Sequence, residues 1–148
     1  MTKNRIDAKL EQVKAAGKKA LIPFVTAGDG GYDLTEQIVL KLAENGADLI
    51  ELGVPFSDPI AEGPVIQRAS ERALSGGTTL AGIFELVKKL RKKLNDTPLL
   101  LMMYLNTIYR YGTERFFAQC KETGIDGVIV PDLPYEEKDE IQGAADTY

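Results

Sequence analysis

Asp48-Leu49-Ile50-Glu51-Leu52-Gly53-Val54-Pro55-Phe56-Ser57-Asp58-Pro59 runs from a short apolar segment into a loop stiffened by prolines. The first six residues read as a strand. With period-2 alternation, Leu49, Glu51 and Gly53 share one face while Ile50 and Leu52 share the other. The strand carries little polar/apolar alternation, which predicts cover on both faces, as in the parallel sheet of an α/β architecture. A carboxylate on such a strand is costly unless it is paired or put to use. In α/β barrels the reacting groups gather at the carboxyl ends of strands and in the loops beyond them. Glu51, one residue from Gly53, is therefore a candidate general acid–base. A structural glutamate bonded to a backbone N–H or a lysine is the competing reading.

Outward from this segment the chain alternates strand and helix. Ile6, Leu10 and Val13 recur at helical spacing and predict an opening amphipathic helix that ends near Gly17. Residues 20–26, stopping before Gly28, read as a buried strand. Leu34, Ile38, Val39 and Leu42 give a helical stripe closed by Asn45-Gly46, and a further helix is expected over 66–74. Leu80, Ile83, Phe84, Val87, Leu90 and Leu94 form a stronger stripe, followed by a strand at 99–104. Thr113 is expected to N-cap a helix carrying Phe116, Phe117 and Cys120, with Gly124 at its end. A fourth strand begins at Gly127, and 136–147 has helix-forming composition. Asn45-Gly46-Ala47-Asp48-Leu49-Ile50 and Thr123-Gly124-Ile125-Asp126-Gly127-Val128 repeat one helix-to-strand junction, which suits a (β/α) repeat.

The 148 residues fit a single domain, 1–148, and the composition of 44% hydrophobic and 27% charged residues predicts a packed core. Collagen, a mucin stalk and a disordered tail are excluded. One cysteine rules out a disulfide framework, and the absence of histidine removes the usual zinc sites, Ser-His-Asp triads and Cys-His catalysis. Acid–base chemistry then falls to carboxylates, tyrosines or lysines. A net charge of −4 argues against nucleic acid as a partner. The segment Met1 to Lys9 has no apolar core or cleavage site of a leader, and no run approaches the roughly 20 apolar residues of a spanning helix, so a cytoplasmic location is expected, with no membrane partner.

Other candidates carry less. Loop 54–64, with Pro55, Pro59 and Pro64, reads as an active-site loop, and Glu62 within it is either a second functional carboxylate or a solvated one. Asp58 before Pro59 reads first as a turn starter. Gly28-Asp29-Gly30-Gly31 lacks the spacing of a nucleotide fingerprint, and Asp29 would repel a phosphate. The Lys88 to Lys93 run reads as the solvated, dipole-complementing end of a helix.

Glu51-Leu52-Gly53-Val54-Pro55-Phe56-Ser57-Asp58-Pro59, followed by Gly63-Pro64-Val65-Ile66-Gln67, resembles the signature segment of the tryptophan synthase alpha subunit family. Pro23-Phe24-Val25-Thr26-Ala27-Gly28-Asp29 is similar to that family's first strand and loop. Met103-Tyr104-Leu105-Asn106 resembles its third strand end, and Val130-Pro131-Asp132-Leu133-Pro134 its fourth. The matches are collinear over nearly the whole chain.

The resemblance implies a TIM (β/α)8-type barrel, of which this chain carries the first about four β/α units, a half-barrel with an extra N-terminal helix. It implies a lyase that cleaves indole-3-glycerol phosphate to indole and glyceraldehyde 3-phosphate. It further implies a beta subunit that receives the indole and holds the only cofactor, pyridoxal phosphate, with none in this chain. In that frame Glu51 is the general acid–base and Glu62 the carboxylate that holds the indole N–H. Phe24 and Tyr104 line the indole pocket, and Asp58 with Pro59 faces the beta subunit. The family usually has Asp where this chain has Glu62, and a proline after the aspartate where this chain has Asp29-Gly30. A barrel takes about 250 residues and builds its phosphate site after strands seven and eight. The half-barrel alone is thus expected to lack that site and to leave sheet edges open to self-association. A non-catalytic assembly fragment and a beta-binding partner are the alternatives to the enzyme.

Overall fold

The computed structural model describes residues 4–148; the first three residues of the Met1 to Lys9 segment lie outside the described residues. Helix α1, Arg5–Ala15, is capped by Asn4, whose side chain accepts the Asp7 N–H. Strand β1 is Phe24–Thr26 and leads into α2, Tyr32–Glu44. Strand β2, Ile50–Gly53, leads through the proline loop into α3, Pro64–Ser75, with Pro64 in the first turn, where its missing N–H costs nothing. Thr79 caps α4, Leu80–Arg91, by accepting the Gly82 N–H. Strand β3, Leu99–Met102, is followed by α5, Leu105–Tyr111, and α6, Thr113–Thr123. Strand β4, Gly127–Ile129, a 3-10 turn at Tyr135–Glu137 and α7, Asp139–Thr147, complete the chain.

The four strands form one parallel sheet in the order β1-β2-β3-β4. Its register aligns Phe24, Glu51, Leu100 and Gly127 in one row and Val25, Leu52, Leu101 and Val128 in the next. Paired residues in a parallel sheet point to the same side, so successive rows alternate between the two faces. The face bearing Ile50, Leu52, Leu99 and Leu101 is fully buried among Val39, Ile83, Val87, Leu90 and Phe116. Each such side chain contributes about 1.5–3 kcal/mol by leaving water. The opposite face, with Phe24, Glu51, Leu100 and Met102, is only half-buried. Cover on both faces, expected from the apolar strands, is thus full on one face and partial on the other, where Thr26 and Leu49 are buried and Ile6 of α1 reaches Gly127. Among those residues no helix is long and apolar enough to cross a membrane.

The stripe on α2 differs from its expected burial. Leu34 is exposed, while Thr35 and Glu36 are buried. The Thr35 hydroxyl accepts the Gly28 N–H and donates to the Gly31 carbonyl, and Glu36 accepts from Lys89 and Lys93. Polar partners therefore fix the helix rotation that the apolar pattern left ambiguous. Lys88 also pairs with Glu85 and Glu122, so the basic run is engaged in ion pairs along the helices. Thr113 is the first helical residue of α6 rather than its cap, which is Gly112 at φ +93°. Helix α5 was not signalled by apolar spacing; its only buried residue is Ile108. Gly124 ends α6 in the left-handed conformation that favours glycine.

Candidate functional site at the carboxyl end of the sheet

Glu51 stands on the half-covered face of β2, with Phe24 and Leu100 as its cross-strand neighbours. Its carboxylate makes no hydrogen bond or ion pair with another described residue. The reading of Glu51 as a bonded structural glutamate therefore loses its support, and a half-buried acceptor is left facing the open side of the sheet. The Phe24 ring lies over Gly53: a Cβ there would come within 2.3 Å of Phe24 Cζ. Gly53 thus creates the space in which an aromatic wall sits beside the carboxylate.

Tyr104 lies two residues beyond β3 with extended backbone, which continues the alternation onto the side of Glu51 and Phe24. It is buried, and its ring centroid is 5.1 Å from that of Phe56. Its hydroxyl donates to Glu62 Oε2 and accepts the backbone N–H groups of Ile60 at 3.0 Å and Ala61 at 2.8 Å. Burial raises the Tyr104 phenol above its usual pKa, and the Glu62 acceptor adds to this against the two N–H donors. The phenol accordingly keeps its proton and donates it at neutral pH. Gln67 Nε2 donates to the Glu62 carbonyl at 2.9 Å, fastening the loop to the start of α3.

The structure thus joins Glu62 to Tyr104 beyond the carboxyl ends of β2 and β3, and pairs Phe24 with Glu51 within the sheet, Phe24 at the start of β1 and Glu51 second in β2. Asp58 is apart: it is exposed and accepts from the neighbouring Ser57 hydroxyl at 2.5 Å, with Pro59 half-buried next to it. The Asp132 carboxylate accepts the Leu105 N–H at 3.0 Å and ties the loop after β4 to the start of α5. The tether from Tyr104 to Ile60 and Ala61 and the Phe56 contact were missed in the sequence, since main-chain partners leave no residue-type signal. Among the described residues no group of three or more His, Cys, Asp or Glu is arranged to hold a metal ion.

Four parallel strands alternating with helices, with Glu51 and Phe24 on the sheet and Glu62 and Tyr104 beyond its carboxyl ends, define a partial TIM-type β/α barrel. The family model described as tryptophan synthase alpha chain matches residues 10–148. The tryptophan synthase alpha chain of Clostridium kluyveri is 51% identical over 138 residues, covering 93% of this chain and 52% of that one. That of Citrifermentans bemidjiense is 52% identical over 144 residues, 97% of this chain and 54% of its own. Among solved structures, tryptophan synthase subunit alpha from Legionella pneumophila str. Paris superposes with a TM-score of 0.96 at 47% identity. The match covers 99% of this chain and 56% of that one. A chain of the tryptophan synthase a2b2 complex from Pyrococcus furiosus gives a TM-score of 0.82 at 44% identity, over 86% of this chain and 54% of its own. This chain belongs to the tryptophan synthase alpha chain family, and it spans about half the length of the curated relatives it matches.

Proposed function

We propose that this chain carries the reacting carboxylates of an alpha-type lyase that cleaves indole-3-glycerol phosphate to indole and glyceraldehyde 3-phosphate. The observation that carries the reading is the unpartnered Glu51 carboxylate on β2, beside Phe24 on the half-covered face of the sheet. In the retro-aldol step a proton is added at indole C3 and another is taken from the hydroxyl on the adjoining side-chain carbon. The bond between C3 and that carbon then breaks, its electron pair returns to the ring, and the hydroxyl carbon becomes the aldehyde. Glu51 serves as the group that moves these protons. Glu62 accepts the indole N–H and so stabilises the positive charge that protonation places on the ring. Phe24 and Tyr104 supply aromatic walls.

Asp58 and Pro59, on the outside of the same loop, are assigned to contact with a beta subunit that uses pyridoxal phosphate. The relative from Pyrococcus furiosus is described as part of an a2b2 complex, which supports such a partner. The reaction is assigned to the cytoplasm. The open edges of β1 and β4 and the half-covered face support self-association of the chain in isolation.

The test is a chimera in which residues 10–148 replace the matching segment of the Clostridium kluyveri chain. It is expected to release indole from indole-3-glycerol phosphate, and Glu51→Gln is expected to lower turnover by about 10²–10⁴-fold, the range of a general acid–base. Turnover that survives Glu51→Gln would overturn the assignment.

A further inference from the structure

We infer that the Tyr104 hydroxyl is a positioning group that aims Glu62 at a ligand N–H and holds the loop that bears it. The inference rests on the reading of this site as an indole pocket. A phenol has one proton to donate and two lone pairs to accept with. All three are committed: the proton to Glu62 Oε2, the lone pairs to the N–H groups of Ile60 and Ala61. The hydroxyl has no capacity left for a ligand, so only the ring is available as a wall. Tyr104 acts on the chemistry through Glu62.

Glu62 is gripped at two points, its carboxylate by Tyr104 and its carbonyl by Gln67. Its second carboxylate oxygen, Oε1, accepts from no described residue and is left as the acceptor for a ligand. A glutamate has one more rotatable bond than an aspartate, and each free rotor costs entropy when a ligand must fix it. The Tyr104 bond removes that freedom before the ligand arrives, which is preorganisation in the sense that cuts the cost of binding.

The test uses indole and 1-methylindole as probes of the 148-residue chain. The sequence contains no tryptophan, so indole fluorescence excited beyond tyrosine absorption reports binding without protein background. The wild type is expected to prefer indole over its N-methylated form. Tyr104→Phe is expected to cut that preference by about 3–10-fold, the worth of one hydrogen bond, with affinity for 1-methylindole unchanged. In a Glu62→Ala background the preference is already gone, and Tyr104→Phe then changes nothing further. Amide exchange at Ile60 and Ala61 is expected to quicken about tenfold in Tyr104→Phe. An equal loss of affinity for both ligands would make Tyr104 a structural residue only and overturn the inference, as would unchanged preference with unchanged exchange. A wild type that binds neither ligand overturns the indole-pocket reading instead. The tether then stands if Tyr104→Phe quickens exchange at Ile60 and Ala61, and falls if it does not.

Discussion

The two ends of the sheet use charged residues in opposite ways. At the amino end, the buried Asp126 carboxylate is answered by arginines. The Asp126 carboxylate, 4% exposed, accepts from Arg5 at 2.7 Å, from Arg91, and from the Leu99 N–H at 2.9 Å. Arg91 donates three further N–H groups to the carbonyls of Gly124, Thr97 and Leu94. Burial pulls the Arg91 guanidinium down from its usual range, and Asp126 opposes that pull. Away from that end, Glu51 within β2 has no described partner, and Glu62 beyond the carboxyl ends gives only one oxygen to Tyr104. Satisfied buried charge fixes a structure, whereas an acceptor left open can serve a substrate. This division matches the barrel rule that the carboxyl end carries chemistry and the amino end carries stability.

The largest effect is expected where the amino-end network is broken. Asp126→Ala leaves Arg91 as a buried cation without its carboxylate and the Leu99 N–H without its acceptor. The expected loss is about 3–5 kcal/mol, typical of removing one partner of a buried pair, read from the shift in urea midpoint. A loss under about 1 kcal/mol would mean that the network is not what holds β3 to β4, and the contrast between the ends would fail.

A smaller effect is expected at the carboxyl end, from sterics rather than charge. Gly53→Ala puts a methyl 2.3 Å from Phe24 Cζ, and the ring must move. Overpacking of this kind costs about 1–3 kcal/mol. In a Phe24→Ala background the same change is expected to cost almost nothing. A cost that persists there would show that Gly53 is needed for its backbone and not for the ring.

How much of this was legible beforehand differs between the ends too. The repeated junction around Asp48 and Asp126 was visible as a sequence echo, and the structure gives it a physical meaning. The Asp48 carboxylate accepts the Leu21 N–H and the Asp126 carboxylate accepts the Leu99 N–H, so each aspartate pins an even strand to the start of the odd strand before it. Arg91 as the counter-ion was not legible, because its partner lies 35 residues away and the surrounding run is basic throughout. At the other end, Glu51 was legible as a carboxylate out of place on an apolar strand. The Glu62–Tyr104 bond was not, since spacing along a chain does not show convergence of a loop on a strand end. The apolar strands also suggested cover on both faces. Composition reports what a face requires, and cannot show which segment supplies it.

The amino end also sets a pH dependence. Cys120, buried on α6, has its thiol pushed up to about 12 by desolvation from an ordinary value of 9. The folded state therefore keeps the proton longer than the unfolded chain does. The stabilisation is fully present below pH 9 and is lost as pH rises from there through about 12. Relative to Cys120→Ala, the wild type is expected to lose about 1 kcal/mol by pH 10 and to show no such difference between pH 6 and 8. Parallel stability curves for the two proteins above pH 9 would mean that the thiol is not desolvated.

The smallest effect on the fold is expected at Asp58, and it sharpens the contrast most directly. Asp58 is exposed, and its one described hydrogen bond comes from the adjacent Ser57 hydroxyl. Nothing in the core depends on it, so Asp58→Ala is expected to leave stability within about 0.5 kcal/mol of wild type. If the outer side of the loop meets a beta subunit, as proposed, the same variant weakens that association while thermal unfolding of the isolated chain stays put. The two measurements separate a loop held for folding from a loop held for contact. The inner side of this loop is fastened by Tyr104 and Gln67, while on its outer side Asp58 bonds, among the described residues, to its neighbour Ser57. A variant that lowered stability by more than about 1 kcal/mol would place Asp58 with Asp126, as a residue the fold requires, and the loop would lose its claim to a free outer face.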